Sequence, residues 1–383
     1  MRRAVLFLAL LLVIAAVTPP ALAEDERRSG YFTLVDIDTG RALCRTGHVV
    51  RAGDQYMTDG NLLYSVVRVR GDSAYARFVR RINLDRALAN ARQGWLAGIW
   101  RAAVSFLAGG RPTGPVAIYH THGDESYVPT DGTASRKGEG GIYQVGRSLA
   151  ARLRRRGLPV EHSYASHEPH DGMAYERSRR TAASLLRKNP AALFDIHRDA
   201  GPRSEYASVV DNQGVTKVQI VLGRSNPNLK ANESFAWRLK SVVDKKYPGL
   251  IKGIFYGSGK YNQDLSPRAL LLELGTEANS KQAAERGASI FGEAAVSVIE
   301  AGTRGGVAGR FGGNSGAWRA ILYVLGGVLV VAVFFLLLNA GSFRGAASNL
   351  GGFFRREFAS AMGDRKRSNR RKEDKGGRHR NRR

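Results

Sequence analysis

The chain is short of sulfur and of acid. Its 383 residues include one cysteine, Cys44, and four methionines. A lone cysteine excludes an intramolecular disulfide, a Cys-rich zinc ribbon and an iron–sulfur site. Any chemistry must therefore rest on imidazole, carboxylate or hydroxyl groups. Asp and Glu number 33 against 59 Lys and Arg, a formal charge of +26. That surplus is uneven: Arg344 to Arg383 holds 14 Lys and Arg against 4 Asp and Glu, so +10 sits in one tail. The sequence has no Walker motif, no Gly-rich phosphate loop and no Gly-x-Ser-x-Gly elbow, which disfavours nucleotide chemistry and serine hydrolysis. Long apolar runs occur at only two places.

The first run, Ala4 to Val17, follows Met1-Arg2-Arg3 and precedes Ala21-Leu22-Ala23, the small-x-small pattern that signal peptidase accepts. Residues 1–23 are expected to be an export signal, with an uncleaved anchor as the alternative. The second, Ala320 to Leu338, has 19 residues without a charge, enough to span a bilayer as a helix. Lys and Arg beside a span stay cytoplasmic, so the basic tail at 339–383 is expected inside and everything before the span outside. The tail reads as a stop-transfer signal attracted to anionic lipid, and no nucleic-acid partner is expected.

Residues 29–80 alternate short β-rich runs with Gly and Asp turns, as expected for a small antiparallel β module with no catalytic signature. In it, Cys44 and His48 lack a third ligand and read as ordinary residues. Residues 84–110 suggest a connecting amphipathic helix weakened by Gly94 and Gly98. From 116 to 302 strands and helices alternate, predicting a three-layer α/β domain with a largely parallel sheet, followed by a linker at 303–319. In such sheets, sites form at the carboxyl ends of strands.

Three strand ends carry chemistry. His120-Thr121-His122-Gly123-Asp124-Glu125 follows the first strand, His197 closes Phe194-Asp195-Ile196, and Glu273 closes Leu270-Leu271-Leu272. Together they supply a His2Glu zinc site with one open position, plus a second carboxylate as base. Zinc needs neutral imidazoles and carboxylates, and the chemistry expected is amide hydrolysis by an activated water. Strand-end histidines are also common as satisfied structural groups. Asp195 could cap the strand and Asp199 could partner Arg198, or one of the two could orient a liganding imidazole. His162, His167 and His170 fall in a polar stretch where exposure is the default.

Four motifs resemble the stage II sporulation protein P family. They are Ile118-Tyr119-His120-Thr121-His122 with Glu125-Ser126-Tyr127, then Asp195-Ile196-His197-Arg198-Asp199, Tyr261-Asn262-Gln263-Asp264-Leu265-Ser266, and Leu272-Glu273-Leu274-Gly275 with Asn279. They occur in the family's order over roughly residues 116–301. The family is related to the type-3 N-acetylmuramoyl-L-alanine amidases, so the resemblance implies a zinc peptidoglycan hydrolase of engulfment in sporulation. It also implies endopeptidase activity, and a lytic transglycosylase and a membrane protein as partners. Carried over by position, His120 and His197 would bind zinc, Glu125 would be the third ligand with His122 and Glu139 as competitors, and Glu273 would be the catalytic carboxylate. A span after the catalytic domain and a β module before it depart from the family's form. The alternatives are a catalytically silent wall-binding or regulatory module, or a zinc peptidase with another exported substrate.

Overall fold

The computed structural model describes residues 26–27, 30–93 and 114–304. The expected export signal, the connecting segment after Gln93, the linker beyond Arg304, the span and the basic tail lie outside the described residues. Among the described residues, no helix is long and apolar enough to cross a membrane.

The amino-terminal strands are β1 (Phe32–Asp36), β2 (Ala42–Thr46), β3 (Gln55–Thr58), β4 (Leu62–Arg70) and β5 (Ser73–Arg81), followed by helix α1 (Leu84–Gln93). Alternation along them puts Leu34, Val66, Ala74 and Ala76 inside. The next part comprises β6 (Gly114–Tyr119), a one-turn α2 (Val128–Asp131), α3 (Ile142–Arg155), β7 (Val160–His162), α4 (Ala174–Leu186) and β8 (Pro190–Asp199). The hairpin β9 (Ala207–Val210) and β10 (Gln213–Thr216) leads to β11 (Val218–Gly223), α5 (Leu229–Lys246), β12 (Ile251–Gly257), β13 (Ala269–Thr276) and α6 (Lys281–Arg304).

Eleven strands form one sheet in the order β2-β1-β5-β4-β3-β12-β11-β13-β8-β6-β7. The sequence reading of a largely parallel sheet is corrected here: the sheet is mixed. Strands β13, β8, β6 and β7 are parallel neighbours, but β11 runs antiparallel to β13 and β3 antiparallel to β12. Chain length explains the reversal. A parallel return needs a crossover of about a dozen residues or more, usually a helix. Between Gly257 and Ala269 there is only the single 3-10 turn Gln263–Leu265, so β13 re-enters the sheet in the opposite sense. Nor is the β module separate or wholly antiparallel: β3 joins β12, β1 runs parallel to β5, and the described residues fall in one compact unit. Strand β12 and the β9–β10 hairpin had no counterpart in the sequence reading.

Pleating sorts the side chains. Ile118, Phe194, Ile196, Leu222, Leu270 and Leu272 face the helices α3, α5 and α6. Helix α3 meets them with Ile142, Val145, Leu149 and Leu153, an apolar stripe at helical spacing, each side chain contributing about 1.5–3 kcal/mol on burial. Its basic last turn, Arg152, Arg154 and Arg155, lies at the negative end of the helix dipole, and Arg152 also reaches Glu293 of α6 at 3.6 Å. On the opposite face Ala117, Tyr119 and Leu193 pack on Ala182 and Leu185 of α4. Farther along that face, Val221, Phe255 and Leu271 share a cluster with Leu34, Tyr56 and Tyr64 of the β module and Tyr175 of α4.

Candidate metal centre and its neighbours

His197 and Glu273 have the same parity as Leu193 and Leu271, so they point to the face covered by α4 and the β module. Both are fully buried. The turn after β6 brings His122 and Glu125 to the same place. Glu125 Oε1 lies 3.5 Å from His122 Nδ1 and 3.4 Å from His197 Nδ1. None of these three buried atoms has a hydrogen-bond partner. Burying polar atoms without partners is costly, so their convergence needs a reason. Ligands about 2.0–2.1 Å from a tetrahedral zinc ion are about 3.4 Å apart, which is the spacing of Glu125 Oε1 from each of the two imidazoles. The donor set therefore fits zinc.

The surroundings orient these groups. Arg198 N donates to Glu125 Oε2 at 2.9 Å, leaving Oε1 for the centre. His197 Nε2 lies 3.0 Å from Asp195 Oδ1, and that carboxylate also accepts from Thr121 N at 2.8 Å. A carboxylate this close to an imidazole favours its charged form and raises its basicity. Burial pushes the Glu125 carboxyl up, but the adjacent His197 and His122 outweigh it and hold the group well below the usual carboxylate range. Glu125 is thus an ionised donor. Glu26 adds a fourth group, its Oε2 3.4 Å from His122 Nδ1.

The structure groups His122, rather than His120, with Glu125 and His197. His120 has the parity of Ile118 and turns towards α3, where its ring edge meets Tyr143. Its Nδ1 pairs with Ile196 O at 3.0 Å and its Nε2 with His162 Nε2 at 2.8 Å. Burial lowers His120 to about 4, so it stays neutral in a structural imidazole pair. Glu139 is on the surface beside Arg136. Glu273 adjoins the centre as the in-register neighbour of His197 on the next strand.

Sequence reasoning missed several neighbours. His48 is buried in the site and its Nε2–H donates to Glu273 Oε1 at 2.9 Å. His170 stacks on His122 with centroids 3.7 Å apart and pairs with Asp124 at 2.9 Å. His167 is buried and bonds His120 O. No spacing rule links His48 or Glu26 to the distant strand ends, so no local signal marked them. The Tyr261–Ser266 motif is structural: Gln263 bonds Gly223 N and Val221 O, while Asn262 and Asp264 fasten to α4 through Ser178 and Arg179.

Residues 107–295 match the model of the Stage II sporulation protein P (SpoIIP) family. The resemblance carried by the four motifs holds over that region. The chain is 31% identical over 201 residues to the stage II sporulation protein P of Bacillus subtilis (strain 168). The alignment covers 46% of this chain and 50% of that protein, so the chain spans about half the length of the curated SpoIIP it matches. Among solved structures it is similar to the N-acetylmuramyl-L-alanine amidase Ami1 of Mycobacterium smegmatis, at 16% identity and a TM-score of 0.33, covering 51% of this chain and 100% of that one. It is also similar to the CwlD amidase of Clostridioides difficile in complex with the GerS lipoprotein, at 15% identity and a TM-score of 0.33, covering 49% and 98%.

Proposed function

We propose that the chain is a zinc-dependent peptidoglycan hydrolase that cleaves the amide between N-acetylmuramic acid and L-alanine. The observation that carries the reading is the convergence of His122 Nδ1, Glu125 Oε1 and His197 Nδ1, three buried atoms without partners, next to the buried carboxylate Glu273. Those three residues would hold the ion, and His122 replaces His120 in the set expected from sequence. Zinc held there would supply a Lewis acid and would lower the pKa of water to about 7.

The protein's own groups do the rest. Asp195 sets a negative charge 3.0 Å behind the His197 ring. Glu273 keeps Oε2 unpartnered while His48 occupies Oε1, so Oε2 is the atom that takes a proton from the attacking water and returns it to the leaving nitrogen. Burial pushes the Glu273 carboxyl up to about 7 against the opposing effect of His48, a value suited to both directions of transfer near neutral pH.

The similarity to SpoIIP supports a role in sporulation, with wall as substrate. The expected export signal and the span at 320–338 belong to the same reading: a hydrolase outside the membrane, tethered to it, its basic tail inside. A lytic transglycosylase and a membrane protein are the partners it would work with, and endopeptidase cleavage is a second activity of the same centre.

The test is mass spectrometry of muropeptides after the zinc-loaded full chain digests purified sacculi. Free stem peptides with L-alanine amino termini, and glycan stripped of peptide, are expected. Intact muropeptides from fully loaded protein would exclude the amidase reading, and cut cross-links alone would make the enzyme an endopeptidase.

A further inference from the structure

We propose that His48 is a positioning residue for Glu273, so that the amino-terminal β module is part of the catalytic centre. This rests on the reading of Glu273 as the base, and adds a residue from 225 positions away in the chain.

Three observations carry it. His48 is fixed before any substrate arrives: its ring stacks on Phe255 with centroids 5.6 Å apart and 18° between planes, and meets the edge of Tyr261. Its loop is clamped to the strand that bears His197 and to β12. Asp199 Oδ1 accepts from Thr46 Oγ1 at 2.9 Å and from Gly47 N at 2.7 Å, and Lys252 donates to Arg45 O at 2.7 Å. The approach is close enough to require glycine at 47, where an added Cβ would lie 2.7 Å from the Ala200 Cβ. Finally, the bond to Glu273 is one-sided. Oε1 is held and Oε2, equally buried, has no partner.

That asymmetry argues against a merely structural pair. A buried ion pair contributes little net stability over an apolar pair of similar volume, because desolvating the charges offsets their attraction. A pair serving only to satisfy the carboxylate would not leave half of it bare. A pair serving to aim it would, since a free oxygen held in one orientation is what proton transfer needs. Misplacing a catalytic group by about 1 Å can cost about 100-fold in rate.

The experiment compares the full-length parent with His48→Ala, His48→Gln and Glu273→Ala, reading kcat and KM on solubilised peptidoglycan, zinc content and the thermal midpoint. Glutamine places an N–H donor where Nε2 stood. His48→Ala should lower kcat about 10- to 100-fold with KM and bound zinc unchanged, and His48→Gln should recover most of that loss. Should His48→Ala fail to fold, His48→Asn replaces it, because its amide reaches only the Nδ1 position and should behave as the alanine variant does. Parental kcat in His48→Ala beside a dead Glu273→Ala overturns the positioning role alone, as does a glutamine variant as slow as the alanine one. Full activity in Glu273→Ala would remove the base itself, and with it any role for His48.

Discussion

Glu273 and His197 stand opposite one another on neighbouring parallel strands, β13 and β8, 76 residues apart in sequence and in register. In-register residues of a parallel pair project to the same face, so the sheet sets a carboxylate beside an imidazole without help from a loop. The two groups have different surroundings. His197 looks towards Glu125 and His122, while Glu273 looks towards His48 of the β module. One strand pair thereby separates the cluster of His197, Glu125 and His122 from the Glu273–His48 pair.

Replacing His122 and replacing His120 should have unlike effects. Losing a partner behind a ligand typically costs about 10- to 100-fold in metal affinity, and losing a ligand itself costs more. His122→Ala should therefore weaken zinc binding by more than about 100-fold. His120→Asn should retain one zinc per chain and lose stability instead, because its amide reaches only the Nδ1 position, which keeps the contact to Ile196 O and loses the one to His162. Competition titration against a chelator measures the first and thermal melting the second. A zinc-free His120→Asn protein that melts like the parent would restore His120 as a ligand.

Asp195→Asn tests the group behind His197. The substitution keeps volume and the contact with Thr121 N while removing the charge 3.0 Å from His197 Nε2. Zinc affinity should fall about 10- to 100-fold with little change in the fold. The same titration reads it, and an affinity within about twofold of the parent would show that the carboxylate does not support the imidazole.

The strands were legible in the sequence as apolar runs, but β8 and β13 continue past them to Asp199 and Thr276, so His197 and Glu273 lie inside their strands near the carboxyl ends, and Glu125 lies in the turn after β6. The choice between His120 and His122 was also latent there. Ile118 is a core residue, strand side chains alternate, and a residue two further on keeps its face, which places His120 against α3. Motif position pulled towards the first histidine, whereas pleat parity favours the second. Other features had no such signal. The reversal at β11 depends on which strands become neighbours, and the arrival of His48 depends on β3 pairing with β12 across nearly 200 residues. Long-range pairing of this kind is decided by the shared core of Tyr56, Phe255 and Leu271, not by any local pattern.

Glu273 should titrate near neutrality in the metal-free protein. Burial raises its carboxyl from the ordinary 4.5 to about 7, while His48 opposes the rise. A raised folded value means that its contribution to stability is full below pH 4.5 and is lost as pH climbs through about 7. Removing the imidazolium in His48→Gln should move the titration higher still. Isotope-edited infrared spectra of the carboxyl band follow it directly. A bound cation favours the ionised form, so the acidic limb of wall digestion should lie below the metal-free midpoint. A band midpoint near 4.5, unchanged by His48→Gln, would contradict the burial argument.

Gly146→Ala sets two magnitudes against each other. In the middle of α3 an alanine normally stabilises by up to about 1 kcal/mol over glycine. Here the added Cβ would lie 2.6 Å from His120 Cε1 and 2.7 Å from Nε2, with His162 Nε2 at 3.0 Å. The His120 ring cannot retreat freely, because both nitrogens are engaged and Tyr143 closes one side. Forced overpacking costs about 1–3 kcal/mol, so the contact should win over the helix propensity. The thermal midpoint should fall by about 2–4 °C for each kcal/mol lost in a unit of this size. Zinc content should be unchanged, since the displaced imidazole is on the far side of the sheet from Glu125 and His197. A variant that melts higher than the parent would mean that the His120–His162 pair yields easily, and would remove the packing reason for glycine at this position.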